Sequence, residues 1–151
     1  MPDNDEYFEI AFQKLCELEG YTSDLQGDLG GRTIWGISER NFPEVVSAMS
    51  NMSPEESKAY AQSFYLTNFW NKYDCASLPY PYNIIFFCML VNAPKPSINA
   101  RNQTANWRDF LFKMQLYYSS LVDRNKDQSK FFRGWINRTL RLWNVFYEEE
   151  L

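Results

Sequence analysis

The chain has 151 residues, 45% of them hydrophobic, a net charge of -4 and no histidine. The missing imidazole excludes Ser-His-Asp and Cys-His nucleophile pairs and every zinc site with a histidine ligand, which removes the usual amidase and Cys/His peptidase chemistries. The acidic balance argues against a nucleic-acid binder, and the length fits one domain of ordinary size with a true core.

The pattern reads as mainly helical. Asp3 or Asn4 can cap a first helix carrying Phe8, Ala11, Phe12, Leu15 and Leu18 on one stripe, with Glu19 at its C-terminal end and Gly20 as the stop. Tyr21 to Ile37 is rich in Gly and Asp and lacks a helical period, so turns and a short β-hairpin or irregular sheet are expected. A short helix opens at Asn41-Phe42-Pro43. A second, with the Ser53-Pro54-Glu55-Glu56 capping box, carries Tyr60, Phe64 and Phe69 to about Trp70. Tyr82 to Asn92 is apolar all round, which predicts a central buried helix, with a buried strand as the alternative.

Pro94 and Pro96 mark an internal boundary. Beyond them, Trp107, Phe110, Leu111, Met114, Tyr117, Tyr118 and Leu121 keep helical spacing. A polar turn, Asp123 to Gln128, precedes a last helix with Phe132, Trp135, Ile136, Leu140, Trp143 and Phe146 inward and a frayed Glu148-Glu149-Glu150 end. The acidic, charge-interrupted start is not a Sec signal, and the longest apolar run, Ile84 to Val91, is too short to cross a bilayer. The chain is therefore expected to be made in the cytoplasm without stable membrane insertion.

Chemistry concentrates in one stretch. Glu19 ends a helix, and Asp28, Gly30, Gly31, Thr33 and Gly36 follow in a turn-rich excursion. Breaking a glycosidic bond needs an acid that protonates the leaving oxygen and a second group that handles water or the sugar cation; a helix-borne Glu opposite a loop-borne Asp supplies both. Each residue also has a plainer reading. Glu19 could be a surface acid, Asp28 a turn residue bonding its own backbone, and Thr33 a hairpin hydroxyl. The glycines suit positive φ or close backbone approach. Asp24 and Asp28 lack the ligand spacing of a calcium loop, and no metal or organic cofactor is implied. Cys16, Cys75 and Cys88 are too far apart for a CxxC site. They read as buried free thiols, or as one disulfide with a thiol left over.

The segment from Glu17 to Ser38 resembles the signature of the glycoside hydrolase 108 family, phage and bacterial N-acetylmuramidases whose pattern runs E-G-G-Y, D-P, then D-x-G-G-x-T-x-x-G-I-T. Tyr65 to Trp70 with Leu78-Pro79 resembles its Y-x-x-x-Y-W and L-P elements. Phe87 to Asn92 resembles F-D-x-x-V-N, with Cys88 at the Asp position. Phe131 to Arg138 resembles the F-x-x-G-W-x-N-R motif of the family's peptidoglycan-binding region. The chain departs in a shortened E-G-Y, in Leu25 where Pro is usual, and in lacking the D-G-x-x-G-P-x-T turn.

The resemblance implies a lysozyme-like fold, mainly α with a short β-hairpin carrying part of the site. It implies a muramidase region over residues 1–95 and a helical, peptidoglycan-binding-like region over 96–151, packed together. The reaction it implies is cleavage of the β-1,4 bond between N-acetylmuramic acid and N-acetylglucosamine. Glu19 inherits the role of catalytic acid, Asp28 and Thr33 would hold the water, and Tyr21, Trp35 and Asn92 would line the sugar groove. The partner is the peptidoglycan glycan strand. The setting is a phage endolysin, or a bacterial autolysin or effector, acting on the wall after release by a holin or a secretion system. A catalytically silent wall-binding protein and a secretion regulator are the alternatives. Nine Lys/Arg against three Asp in residues 101–141 could meet an anionic polymer or merely solvate a helix face.

Overall fold

A computed structural model describes residues 2–23 and 31–150. Its elements run α1 (Asn4–Glu19), β1 (Thr22–Ser23), β2 (Thr33–Ile34), β3 (Ile37–Ser38), α2 (Pro43–Ser50), α3 (Pro54–Tyr65), α4 (Tyr82–Asn92), α5 (Pro94–Gln103), α6 (Trp107–Arg124) and α7 (Ser129–Glu150). Backbone contacts divide the chain into two compact units, Met1–Leu78 and Pro79–Leu151. The architecture is mainly α with one small antiparallel sheet, as expected of a lysozyme-like chain.

In the first unit, Asp3 caps α1. Its carboxylate accepts from the Glu6 N–H at 3.0 Å, while Glu6 accepts from the Asp3 N–H at 2.9 Å. Such a box stabilises a helix start by about 1 kcal/mol. Phe8, Ala11, Phe12 and Leu15 are buried. Phe8 meets Trp70 with ring centroids 5.7 Å apart, and Phe12 meets Tyr65 at 6.1 Å. Gly20 ends the helix at φ 69°, its N–H bonding Cys16 O. Ser53 caps α3 by accepting from the Glu56 N–H, and Pro54 opens the helix. Beyond Tyr65, the helix widens into a π turn, Leu66–Asn71, which buries Phe69 and Trp70. Trp70 is core, its indole N–H donating to Asn4 Oδ1 at 2.9 Å.

The sheet has order β1-β2-β3. Thr22 pairs with Ile34 and Ser23 with Thr33; Thr33 then pairs with Ser38 and Ile34 with Ile37. Ile34 and Ile37 are buried together, so strand alternation puts Thr33 on the opposite face.

In the second unit, α4 is a helix and not the alternative strand, and every residue from Tyr82 to Leu90 is buried. Tyr82 and Phe86 both meet Phe110 of α6, at 5.3 and 5.8 Å. Pro94 and Pro96, expected to mark a boundary, open α5. Proline costs nothing where a helix's first N–H groups have no partner. Trp107, Phe110, Leu111, Met114 and Tyr118 are the buried stripe of α6, which Asn106 caps through the Asp109 N–H.

Two expectations for α7 are corrected. Leu140 points outward at 45% exposure because the inner face is taken by Thr139, Leu142 and Phe146. The Thr139 hydroxyl is satisfied there: Gln115 donates to it at 3.0 Å, and it donates to Ile136 O. Nor is the end frayed. The helix runs to Glu150, where Arg108 pairs with the carboxylate and the Trp107 indole N–H donates to it at 3.3 Å; Tyr80 bonds Glu149. A Cβ on Gly134 would meet nothing within 4 Å. Trp135 does pack, stacked on Tyr118 at 5.2 Å and 20°.

Candidate active site

Glu19 is the last residue of α1 and is partly buried. The chain leaves it through Gly20 and returns by the β2–β3 hairpin. The tip of that hairpin is Trp35-Gly36, with φ of 51° and 82°. Two central residues at positive φ make the two-residue turn whose twist matches antiparallel strands. Glycine takes this conformation freely. For Trp35 it costs on the order of 1–2 kcal/mol. Three hydrogen bonds, each contributing about 1 kcal/mol, offset that cost. The Trp35 N–H donates to Tyr21 O at 2.6 Å, Trp35 O accepts from the Tyr65 hydroxyl at 2.8 Å, and the indole N–H donates to Ser57 Oγ at 3.0 Å.

The tip rests on Glu19. A Cβ built on Gly36 would lie 2.8 Å from Glu19 Cγ, 3.2 Å from Glu19 Cδ and 2.9 Å from the Tyr65 hydroxyl oxygen. The hairpin therefore reaches the carboxyl-bearing side chain only because residue 36 has no side chain of its own. Tyr21 and Trp35 stand beside this contact, ring centroids 5.2 Å apart and tilted by 43°; Tyr21 is exposed and Trp35 half-buried. The Lys58 ammonium lies 5.5 Å from the Trp35 ring. One helical turn before Glu19, burial pushes the Cys16 thiol up to about 11; Lys58 opposes this rise, while Glu17 and Glu19 add to it.

The structure thus sets Gly36 against Glu19 and the Tyr21 ring against Trp35, the residue before Gly36, and puts Thr33 on the strand leading into the same turn. Asp28 falls outside the described residues, so its separation from Glu19 is an expectation only. Asn92 ends α4 in the other unit, where its amide oxygen accepts from the buried Tyr118 hydroxyl. Among the described residues, no three Cys, Asp or Glu side chains gather as metal ligands, and no helix is long and apolar enough to cross a membrane. None of the three cysteines is in a disulfide. Tyr65, Ser57 and Lys58 are site neighbours that sequence reasoning missed. Tyr65 had a signal, because it opens the Y-x-x-x-Y-W element, yet nothing local tied it to a hairpin 30 residues earlier.

Comparison with known proteins agrees with the fold. The chain is similar in structure to SagA of Brucella abortus, with a TM-score of 0.62 over 91% of this chain and 92% of that one, at 19% sequence identity. Among curated proteins, no sequence matches. The profile of the family described as Glycosyl hydrolase 108 matches residues 12–93, a span that holds Glu19, the hairpin, Tyr65 and α4. That match covers more than half of the sequence, and the chain belongs to the glycosyl hydrolase 108 family.

Proposed function

We propose that this chain hydrolyses the glycan of peptidoglycan at the β-1,4 bond between N-acetylmuramic acid and N-acetylglucosamine. The observation that carries the reading is the seat of Glu19. In a glycoside hydrolase family, a carboxyl group at a helix end is held by a side-chain-free hairpin tip, beside an exposed tyrosine and a half-buried tryptophan. Glu19 protonates the leaving oxygen. Asp28, helped by Thr33, places the attacking water. A water between two carboxylates needs a separation of about 6.5–9.5 Å and inverts the anomeric carbon, whereas a nucleophilic Asp28 would stand about 5–5.5 Å away and retain it. Inversion is the outcome proposed here.

Tyr21 offers a ring face to the pyranose, with Trp35 fixed behind it. Residues 96–151 hold the wall through the basic surface of the last helices, where Arg133 and Arg141 are exposed. The enzyme acts on the wall after export through a holin or a secretion system, as a phage endolysin or a bacterial autolysin or effector.

The test is digestion of purified peptidoglycan, with products identified by mass spectrometry. Fragments with reducing N-acetylmuramic acid ends support the reading. Reducing N-acetylglucosamine ends would move the cut to the other linkage. Binding to insoluble wall with no new reducing ends would favour the silent wall-binding protein, and neither binding nor cleavage the secretion regulator.

A further inference from the structure

Resting on the assignment of Glu19 as the acid, we infer that Gly36 and Tyr65 are positioning residues that fix its side chain at the reacting bond. A glutamate has three rotatable side-chain bonds, and a proton donor must be held within about half an ångström of its productive place. Glu19 is the last residue of α1, and the chain turns away at Gly20. Restraint comes from the hairpin. Gly36 touches the Glu19 side chain closely enough that one added carbon would stand 2.8 Å from Cγ, and the same point lies 2.9 Å from the Tyr65 hydroxyl.

Tyr65 is the anchor of that contact. It is fully buried, ringed by Phe12, Phe64 and Phe69, and donates to Trp35 O at 2.8 Å, one residue before Gly36. The bond holds the carbonyl of a residue in a left-handed conformation, so the tip cannot swing without losing it. The core thereby sets the position of the turn, and the turn limits where the Glu19 side chain can go. Neither Gly36 nor Tyr65 need touch the sugar.

Tyr65→Phe removes one oxygen, and Gly36→Ala adds one carbon against Glu19. Each is made alone and together with Glu19→Gln, and kcat and KM are measured on soluble peptidoglycan fragments alongside thermal unfolding. We expect each single variant to lose about tenfold or more in kcat while KM stays within about twofold. On the Glu19→Gln background neither should reduce the residual rate further, because the group they position no longer carries a proton.

A rise in KM at unchanged kcat would overturn the inference and assign the turn to the Tyr21–Trp35 pair. The same factor lost in both backgrounds would overturn it in favour of a general folding role. If Gly36→Ala does not fold, Tyr65→Phe carries the test; if the Glu19→Gln rate is too slow to follow, the division between kcat and KM decides. An active Glu19→Gln enzyme would instead defeat the acid assignment itself.

Discussion

The absence of one methyl group at residue 36 decides how close the hairpin comes to Glu19. Glycine at this position was legible in the sequence as a need for positive φ, and its φ of 82° bears that out. What it touches was not legible, because Glu19 and Gly36 meet only after the hairpin has folded back. Trp35 was harder still. A bulky residue at positive φ runs against local propensity, and the hydrogen bonds that hold it come from Tyr21, Ser57 and Tyr65.

A neighbouring residue gives a test of this environment. Cys16 is held well above the ordinary thiol range, at about 11, chiefly by burial. Its reactive thiolate is therefore scarce at pH 8, and alkylation by iodoacetamide should run at least about tenfold slower than in the urea-unfolded chain. Peptide mapping by mass spectrometry reads this directly; equal rates would mean that the helix end is open to solvent.

At the scale of elements, the hydrophobic period found α1, α4 and α6, where one stripe or the whole surface is apolar; α3 was legible from its Ser53-Pro54 cap, while Tyr60, expected on its stripe, is exposed and Ser57, Ala61 and Tyr65 face inward. The period failed where polar residues take inward positions or where proline was read as a break. Helix α5 starts on two prolines and buries only Ser97 and Ala100, leaving almost no apolar signal. In α7, Thr139 occupies the buried place that Leu140 had been given.

The end of α7 is pinned by Glu150, which receives the Trp107 indole N–H and the Arg108 guanidinium. That ion pair is about two-fifths exposed, so solvent screening leaves it little weight and the indole bond carries most of the effect. Glu150→Ala should destabilise the protein by about 1 kcal/mol, seen as a lower urea midpoint at unchanged slope. No change would mean that the helix end does frayed-end duty after all. Gly134→Ala should do the opposite. With nothing within 4 Å of the new carbon, helix propensity alone favours alanine by about 0.5–1 kcal/mol. Stability gained together with wall binding lost would show that the glycine of this motif serves a ligand and not packing.

At the scale of the molecule, the acidic first 31 residues belong to one compact unit and the basic stretch 101–141 to the other. Three groups make stability depend on alkaline pH. Burial raises Cys16 to about 11, and burial likewise raises Tyr82 and Tyr117, whose folded forms favour the neutral hydroxyl. Above about pH 9 the unfolded chain releases these protons first, so the folded state binds more protons and stability must fall as pH rises. Their contribution is complete below the unfolded values and lost on passing through the folded ones. Thermal unfolding should give a flat Tm from pH 7 to about 9 and a decline beyond it; a Tm rising above pH 10 would contradict the burial of these groups.

The central claim rests on Glu19 as the proton donor, and the isosteric Glu19→Gln variant tests it most directly. The amide keeps the shape against Gly36 and removes the proton. Release of reducing sugars from purified peptidoglycan should fall about a hundred- to ten-thousand-fold, with the far-ultraviolet circular dichroism and Tm of the parent retained. A folded Glu19→Gln protein that cleaves peptidoglycan within a few-fold of the parent, at about the same pH, would contradict the account.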